Sequence, residues 1–293
     1  MDALSCALLP ACCTLCGSPL PHVFAPICDV CWTEIAVLSG PACVCCGDEL
    51  DLAQAEFVSR PELCRACRLA PPAFVRAVAY GPYQDGMRAA IHALKYDGLH
   101  SAARRLGRML ALAIAPLAAE APGEMLVIPV PLHRSKYAER GFNQARLLAA
   151  HALDALRTTH PERRLTLASS TLMRLRSTAS QASLTPRQRR QNVRGAFMVF
   201  DPHAVDHQHI LLIDDILTTG ATARAAARAL MQAGAASVWV ATLARARRYS
   251  RNGHNESASD SDSFTGDQNQ TTGMRDDAPA DNPASMHGNL PSF

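Results

Sequence analysis

The sequence predicts an α/β domain on a mostly parallel sheet, preceded by a small cysteine-rich metal-binding module. Three observations carry this expectation. Across residues 75–243, short apolar runs that end in turn signals alternate with alanine- and leucine-rich stretches of helical period, as the strands and crossover helices of a parallel sheet do. Ten of the eleven cysteines fall between Cys12 and Cys67, and eight of them form C-x-x-C pairs. The run ILLIDDILTTGAT at 210–222 joins an apolar strand to two acids, a Thr/Gly turn and a helix. With 293 residues, 48% hydrophobic and 19% charged, the chain can bury a full-sized core. Aromatics make up only 5%, so that core is built mainly from Ala, Leu, Val and Ile.

The cysteine pairs are Cys13/Cys16, Cys28/Cys31, Cys43/Cys46 and Cys64/Cys67. A C-x-x-C turn aims two thiolates at one point, and two such turns complete a tetrahedral four-cysteine zinc site. The second set, with seventeen residues between its pairs, has zinc-ribbon spacing, and the first is a shorter version with eleven. Gly17 and Gly47 follow the leading pair of each half, where a tight knuckle favours glycine. Residues 1–70 therefore read as a double zinc ribbon with up to two structural Zn2+ sites, each closed by four ligands. Four pairs in series fit metal far better than a redox role. Cys6, Cys12 and Cys45 are left over, and Cys12 and Cys45, adjacent to ligands, are where a different pairing would arise.

Prolines 71 and 72 mark the boundary to a second domain, residues 71–249. A strand is expected at 75–80, stopped by Gly81-Pro82, and a helix at 85–96 with Met87, Ile91 and Leu94 at helical spacing. Only two of the 29 basic residues are lysines, Lys95 and Lys136. A lysine kept against that bias suits a site needing a compact ammonium rather than a planar fork, although a solvated helix-end lysine fits as well. A helix at 102–119 and a buried strand at 125–130 follow. After that strand comes a basic loop whose Arg134, Lys136 and Arg140 would bind a pyrophosphate, or would simply be solvated. A helix over 143–159 is of the crossover type. Residues 174–194 hold six arginines and no acid. A strand is expected at 196–200, then a turn with His203, His207 and His209, which lack a metal-ligand pattern. The strand 210–213, a helix over 222–233 and a last strand at 237–243 complete the domain. Residues 250–293 are polar and acidic with almost no apolar residues, and read as a disordered tail.

Each piece of 210–222 has a physical role at a phosphorylated sugar. Asp214 and Asp215 lie at the C-terminal end of a strand, the edge at which open α/β sheets bind ligands. Thr218, Thr219, Gly220, Ala221 and Thr222 offer hydroxyls and backbone N–H groups at a helix N-terminus, a seat for phosphate. A Walker-type loop is disfavoured because its Gly-Lys pair is missing. The stretch resembles the phosphoribosyl-pyrophosphate (PRPP) motif of type I phosphoribosyltransferases. That resemblance implies that Asp214 and Asp215 hold the ribose hydroxyls, and that residues 218–222 bind the 5′-phosphate.

Four features occur in one order: the cysteine module, A-L-K-Y-D-G at 93–98, I-P-V-P-L-H-R-S-K with E-R-G-F-N-Q-A over 128–145, and the acid-pair motif. Together they resemble the ComF family, phosphoribosyltransferase-like proteins known for a role in DNA uptake during natural transformation. A similar R-x-x-x-T-x-x-Q-x-x-L stretch, followed by an arginine and an asparagine, is matched by Arg174, Thr178, Gln181, Leu184, Arg190 and Asn192. In phosphoribosyltransferases a flexible loop in this part of the chain closes over the pyrophosphate and excludes water from an oxocarbenium-like state. A basic loop would equally track a nucleic-acid backbone.

The resemblance implies a type I phosphoribosyltransferase fold that binds PRPP with Mg2+, the Mg2+ held by substrate oxygens and water. Three functions stay open: a PRPP-binding protein of DNA uptake whose partners are single-stranded DNA or uptake proteins, a phosphoribosyltransferase of nucleotide salvage with an unknown acceptor, and a PRPP-sensing regulator. In the enzymatic reading Asp214 and Asp215 are the catalytic acids. Residues 250–293 carry seven acids against Arg251 and Arg275, so the overall +3 leaves +8 on residues 1–249. A basic body suits phosphate-bearing ligands or nucleic acid. No secretory signal is evident, no apolar stretch reaches the ~20 residues of a membrane span, and metal-bound cysteines suit a reducing compartment, so a cytoplasmic location is expected. Nothing in the sequence sets the oligomeric state.

Overall fold

The computed structural model of the chain describes residues 12–20, 27–50, 62–96, 101–176, 188, 193 and 195–246. The expected disordered tail at 250–293, most of the arginine-rich stretch 174–194 and residues 97 and 98 of the A-L-K-Y-D-G segment lie outside the described residues. Residues 1–250 form one compact unit.

Five parallel strands make the central sheet: β1 (Ala77–Pro82), β2 (Glu124–Pro129), β3 (Arg164–Leu167), β6 (His209–Leu217) and β7 (Ser237–Arg245). Their spatial order is β1-β7-β6-β2-β3. Two short strands, β4 (Leu172–Arg174) and β5 (Phe197–Val199), form a separate antiparallel pair. Neither β3 nor β4 was expected. At four and three residues, with polar positions interspersed, they lack the apolar run that marks a buried strand.

The strand expected at 210–213 runs on to Leu217, so both aspartates lie within it rather than beyond it. The cause is β7, which is equally long and keeps the ladder going through Ile216↔Ala244 and Leu217↔Arg245. On the other flank β2 pairs only as far as Pro129↔Ile213. Proline has no N–H to donate, and Pro131 follows two residues later. The last four residues of β6 are therefore paired on one side only, and a crevice opens where β2 turns away.

Helix α3 (Asp85–Tyr96), helix α4 (Ser101–Ile114) and helix α6 (Gln144–Thr159) cover one face of the sheet, and helix α7 (Ala221–Gln232) the other. The period-2 alternation of a strand divides β6 between them. Leu211 and Ile213 join the core with Met87, Ile91, Leu110 and Leu148, while Ile210 and Leu212 join Val240, Ala226 and Leu230. The helix expected to run to 119 stops at Ile114 and continues as a 3-10 turn over Ala115–Ala119, with Pro116 in its first turn. The supposed basic loop after β2 is a helix, α5 (Arg134–Arg140), with His133 as N-cap and Gly141 in the left-handed conformation at its end. Its Ser-Lys-Tyr-Ala-Glu centre has ordinary helix propensity, and the cap supplies the start that composition alone concealed.

Two short helices, α1 (Asp29–Thr33) and α2 (Arg65–Leu69), carry the second C-x-x-C pair of each cysteine cluster. The first cluster packs into the same core as α3 and α4, the second into the core containing α7. The segment between them meets the open edge of β1 at Leu38, which donates its N–H to Tyr80 O, and the second knuckle meets β1 where Ala77 donates to Cys45 O. The cysteine module is thus fastened to both faces of the sheet and to one edge.

Candidate functional site

Asp215 sits near the end of β6 with its side chain only 7% exposed. A buried carboxylate needs a cation and donors, and both are present. Lys95, in the last turn of α3, places Nζ 2.8 Å from Asp215 Oδ2. Gln144, the first residue of α6, donates Nε2 to the same oxygen at 3.0 Å. Gln144 Oε1 in turn accepts from Arg140 at 2.6 Å, and the Arg140 guanidinium lies over the Tyr96 ring at 5.4 Å. Asn143 fixes this corner: its Oδ1 caps α6 by accepting from the Ala145 and Arg146 N–H groups, while Nδ2 donates to Val130 O at the end of β2. Three segments far apart in the chain thus meet at one carboxylate.

Burial alone would lower the Lys95 ammonium, but the charge and hydrogen bond of Asp215 outweigh it and hold Lys95 above its usual value. Asp214 is the opposite case. Burial, and then the neighbouring negative charge of Asp215, push its carboxyl up to about 7. Hydrogen bonding from the Asp215 N–H at 2.9 Å, together with Lys95 and Arg174, only partly offsets this. The two adjacent acids therefore differ: Asp215 is paired, and Asp214 is poised to change charge near neutrality.

The turn at 218–220 follows, with Gly220 at φ +72°, a left-handed position that favours glycine, as the residue that launches α7. Thr219 Oγ1 accepts from the Ala221 N–H at 3.3 Å. The first N–H groups of an α-helix lack intrahelical acceptors, and the macrodipole adds partial positive charge there, so this end of α7 favours an anion. Thr218, Thr219 and Thr222 are half-buried, and Gly220 and Ala221 are buried. Of the three basic residues proposed for pyrophosphate, Arg140 joins the Asp215 network. Arg134 is exposed and Lys136 half-exposed on the same short helix, and neither reaches the acid pair among the described residues.

The cysteines gather as the spacing suggests. The sulfurs of Cys13, Cys16, Cys28 and Cys31 lie within 4.8 Å of one another, as do those of Cys43, Cys46, Cys64 and Cys67. Four sulfurs at ~2.3 Å from a tetrahedral zinc stand about 3.8 Å apart. The Cys16–Cys28 and Cys46–Cys64 separations, 3.7 and 3.6 Å, fit that shape. Gly17 and Gly47 take φ of +72° and +64°, closing each knuckle with an N–H to the first cysteine's carbonyl. Burial raises the Cys13 thiol, but N–H donors from Cys28, Cys16 and Leu15 outweigh it and bring it down to about 6, favouring the thiolate a metal requires. Both clusters can hold zinc. Cys12 is exposed, and Cys45 stands half-buried beside the second cluster.

A family model described as the phosphoribosyl transferase domain matches residues 162–278. The DNA utilization protein YhgH of Escherichia coli O157:H7 is 32% identical over 240 residues, covering 81% of this chain and 98% of that protein. The chain belongs to the ComF family. Competence protein F of Haemophilus influenzae is 28% identical over 223 residues, 75% of this chain and 90% of its own length. Competence protein ComFC of Bacillus subtilis is 38% identical over 124 residues, 41% of this chain and 44% of its own. No helix among the described residues of this ComF chain is long and apolar enough to cross a membrane.

Sequence reasoning missed several site residues of the ComF chain. Gln144 stands out in the sequence only as part of the E-R-G-F-N-Q-A motif, yet it is 6% exposed and bridges Arg140 to Asp215. Arg245, two residues past the strand expected at 237–243, is 2% exposed and donates to the carbonyls of Leu217 and Thr218. A polar residue opening a helix right after an Asn cap, and an arginine continuing an apolar strand, were the available signals.

Proposed function

We propose that the chain binds PRPP, or a closely related phosphoribosyl ligand, across residues 214–222 and that this binding serves the handling of DNA taken up by the cell. The observation that carries the reading is the convergence on Asp215. A lysine from α3, a glutamine from α6 and a second acid on β6 meet at the ligand edge of the sheet, beside a Thr/Gly turn opening α7. In this reading Asp214 and Asp215 accept hydrogen bonds from the ribose hydroxyls, and carboxylates have acceptor capacity to spare for them. Thr218, Thr219, Gly220, Ala221 and Thr222 surround the 5′-phosphate with N–H and hydroxyl donors. Arg140 and Lys95 supply positive charge toward the pyrophosphate side, with Arg134 and Lys136 arriving from α5. Mg2+ arriving with the ligand would be held by ligand oxygens and water and would offset part of its charge.

The DNA context rests on the names of the relatives, DNA utilization protein and competence protein. A soluble partner such as single-stranded DNA would meet the basic body of residues 1–249.

Calorimetry with PRPP and Mg2+ tests the ligand: saturable heat with one site per chain is expected, lost in Asp215→Asn. Absence of heat in the wild-type protein refutes the reading. Pyrophosphate release on addition of nucleobase acceptors would establish the transferase function. Binding without release across an acceptor panel favours a binding protein.

A further inference from the structure

The second cysteine cluster and the turn at 218–220 share two arginines. Arg245, the last residue of β7, is almost wholly enclosed. Its Nη1 donates to Leu217 O at 2.8 Å and to Thr218 O, the two carbonyls leading into the turn. Its Nη2 lies 2.9 Å from Asp48 Oδ1 and 3.9 Å from Cys46 Sγ, within the second knuckle. Arg224, one turn into α7, donates Nη2 to Cys67 Sγ at 3.5 Å and Nη1 to Ala70 O at 2.6 Å. Each guanidinium therefore has one branch on a ligand sulfur of the cluster. Arg245 places its other branch on the turn itself, and Arg224 belongs to the helix that the turn begins.

A zinc held by four thiolates carries a net charge of −2, and sulfurs in that state are strong acceptors. Two arginines offset that charge, and their planar forks hold direction as well as charge. With the metal in place, Arg245 is drawn toward Cys46 and Asp48 and fixes the carbonyls of 217 and 218, which sets where the N–H groups of 219–222 point. Without it, nothing ties the four sulfurs to one point, and Arg245 would lose one side of its anchorage. The first cluster has no such link among the described residues: it packs with α3 and α4 on the opposite face of the sheet.

We propose that Arg245, seconded by Arg224, is a positioning residue that couples zinc at Cys43, Cys46, Cys64 and Cys67 to phosphate binding at residues 218–222. The coupling rests on the phosphoribosyl reading of that turn. Because linkage between two binding events is reciprocal, a ligand on the turn must also tighten the metal.

The test uses the full zinc-loaded chain. Zinc transfer to a chelating dye is followed with and without PRPP, Mg2+ being present in both arms, and calorimetry on the same sample records PRPP binding. PRPP is expected to slow the release of one of the two zincs about tenfold, within the usual range of coupling between sites, and to leave the other unchanged. In Arg245→Lys, which keeps the charge but not the fork, two zincs per chain should remain while PRPP no longer slows release. The wild-type arm needs no variant, so a misfolded mutant does not decide the outcome. PRPP heat with unchanged zinc release, or equal slowing of both zincs, overturns the coupling alone. No PRPP heat overturns the ligand assignment and the coupling with it.

Discussion

Replacing Asp214 by Asn should make the free protein more stable above neutral pH, although the residue stands at the centre of the site. Its carboxyl is raised from 3.8 to about 7, chiefly by burial and then by Asp215. Below pH 3.8 folded and unfolded chains both carry the proton and no penalty arises. Between 3.8 and about 7 the unfolded chain releases it while the folded chain retains it, so stability falls as pH rises. Above about 7 both are ionised and the full penalty persists. At 1.36 kcal/mol per tenfold change in proton affinity, a rise of this size sets an upper limit of about 4 kcal/mol. Asp214 is only partly covered, so water screens its charge, and the Asp215 N–H bond, now accepted by a neutral amide oxygen, is weakened by up to about 1 kcal/mol, leaving a gain of about 1–2 kcal/mol. For a chain of this size that is about 3–6 °C in Tm. Thermal melts of wild type and Asp214→Asn from pH 4 to pH 8.5 should diverge upward and then run parallel. A constant offset across the whole range, or destabilisation at pH 8, would refute the reasoning.

Lys95→Met leaves Asp215 buried without its cation and should cost about 2–4 kcal/mol in urea unfolding; adding Asp215→Asn should recover part of that loss, so additive costs would count against the pair. Gln144→Leu removes the bridge between Arg140 and Asp215 and should weaken PRPP binding about tenfold in calorimetry, while the lost donor to the buried carboxylate costs about 1–3 kcal/mol of stability. Ligand hydroxyls that donate to Asp214 favour its ionised form, so PRPP binding at pH 6 should release protons. Equal binding heats in buffers of different ionisation enthalpy would contradict this. Cys64→Ser should lower the metal content from two zincs per chain to one by elemental analysis, and a value still at two would point to Cys45 as a substitute ligand.

The parts of the fold legible in the sequence were those with local signals. The strand carrying Asp214-Asp215, the helix carrying Met87, Ile91 and Leu94, and the four cysteine pairs each announce themselves through a period or a spacing. Strands β3 and β4 are held by neighbours rather than by their own composition, so nothing local marked them. Helix α5 was hidden because its charged residues suit a loop equally well, and the capping His133 is an uncommon N-cap. The site was half legible. Asp214 and Asp215 stood out, and Lys95 was noticed for its rarity, but its partner was not. Gln144 and Arg245 act through contacts across 71 and 28 residues, which no local pattern encodes.

The segment between the two cysteine clusters and the second knuckle both hydrogen-bond to β1, from Leu38 N to Tyr80 O and from Ala77 N to Cys45 O. An uncovered parallel edge is a template for other chains, and proteins commonly blunt it with a covering loop. Here the cover lies between two four-cysteine knuckles, so zinc bound there would help to keep β1 shielded. Stripped of zinc, the chain should self-associate before it unfolds, with light scattering rising ahead of the loss of helical signal. The cysteine module then acts as a guard against aggregation as much as a scaffold, and the solubility of the sheet becomes a matter of metal supply.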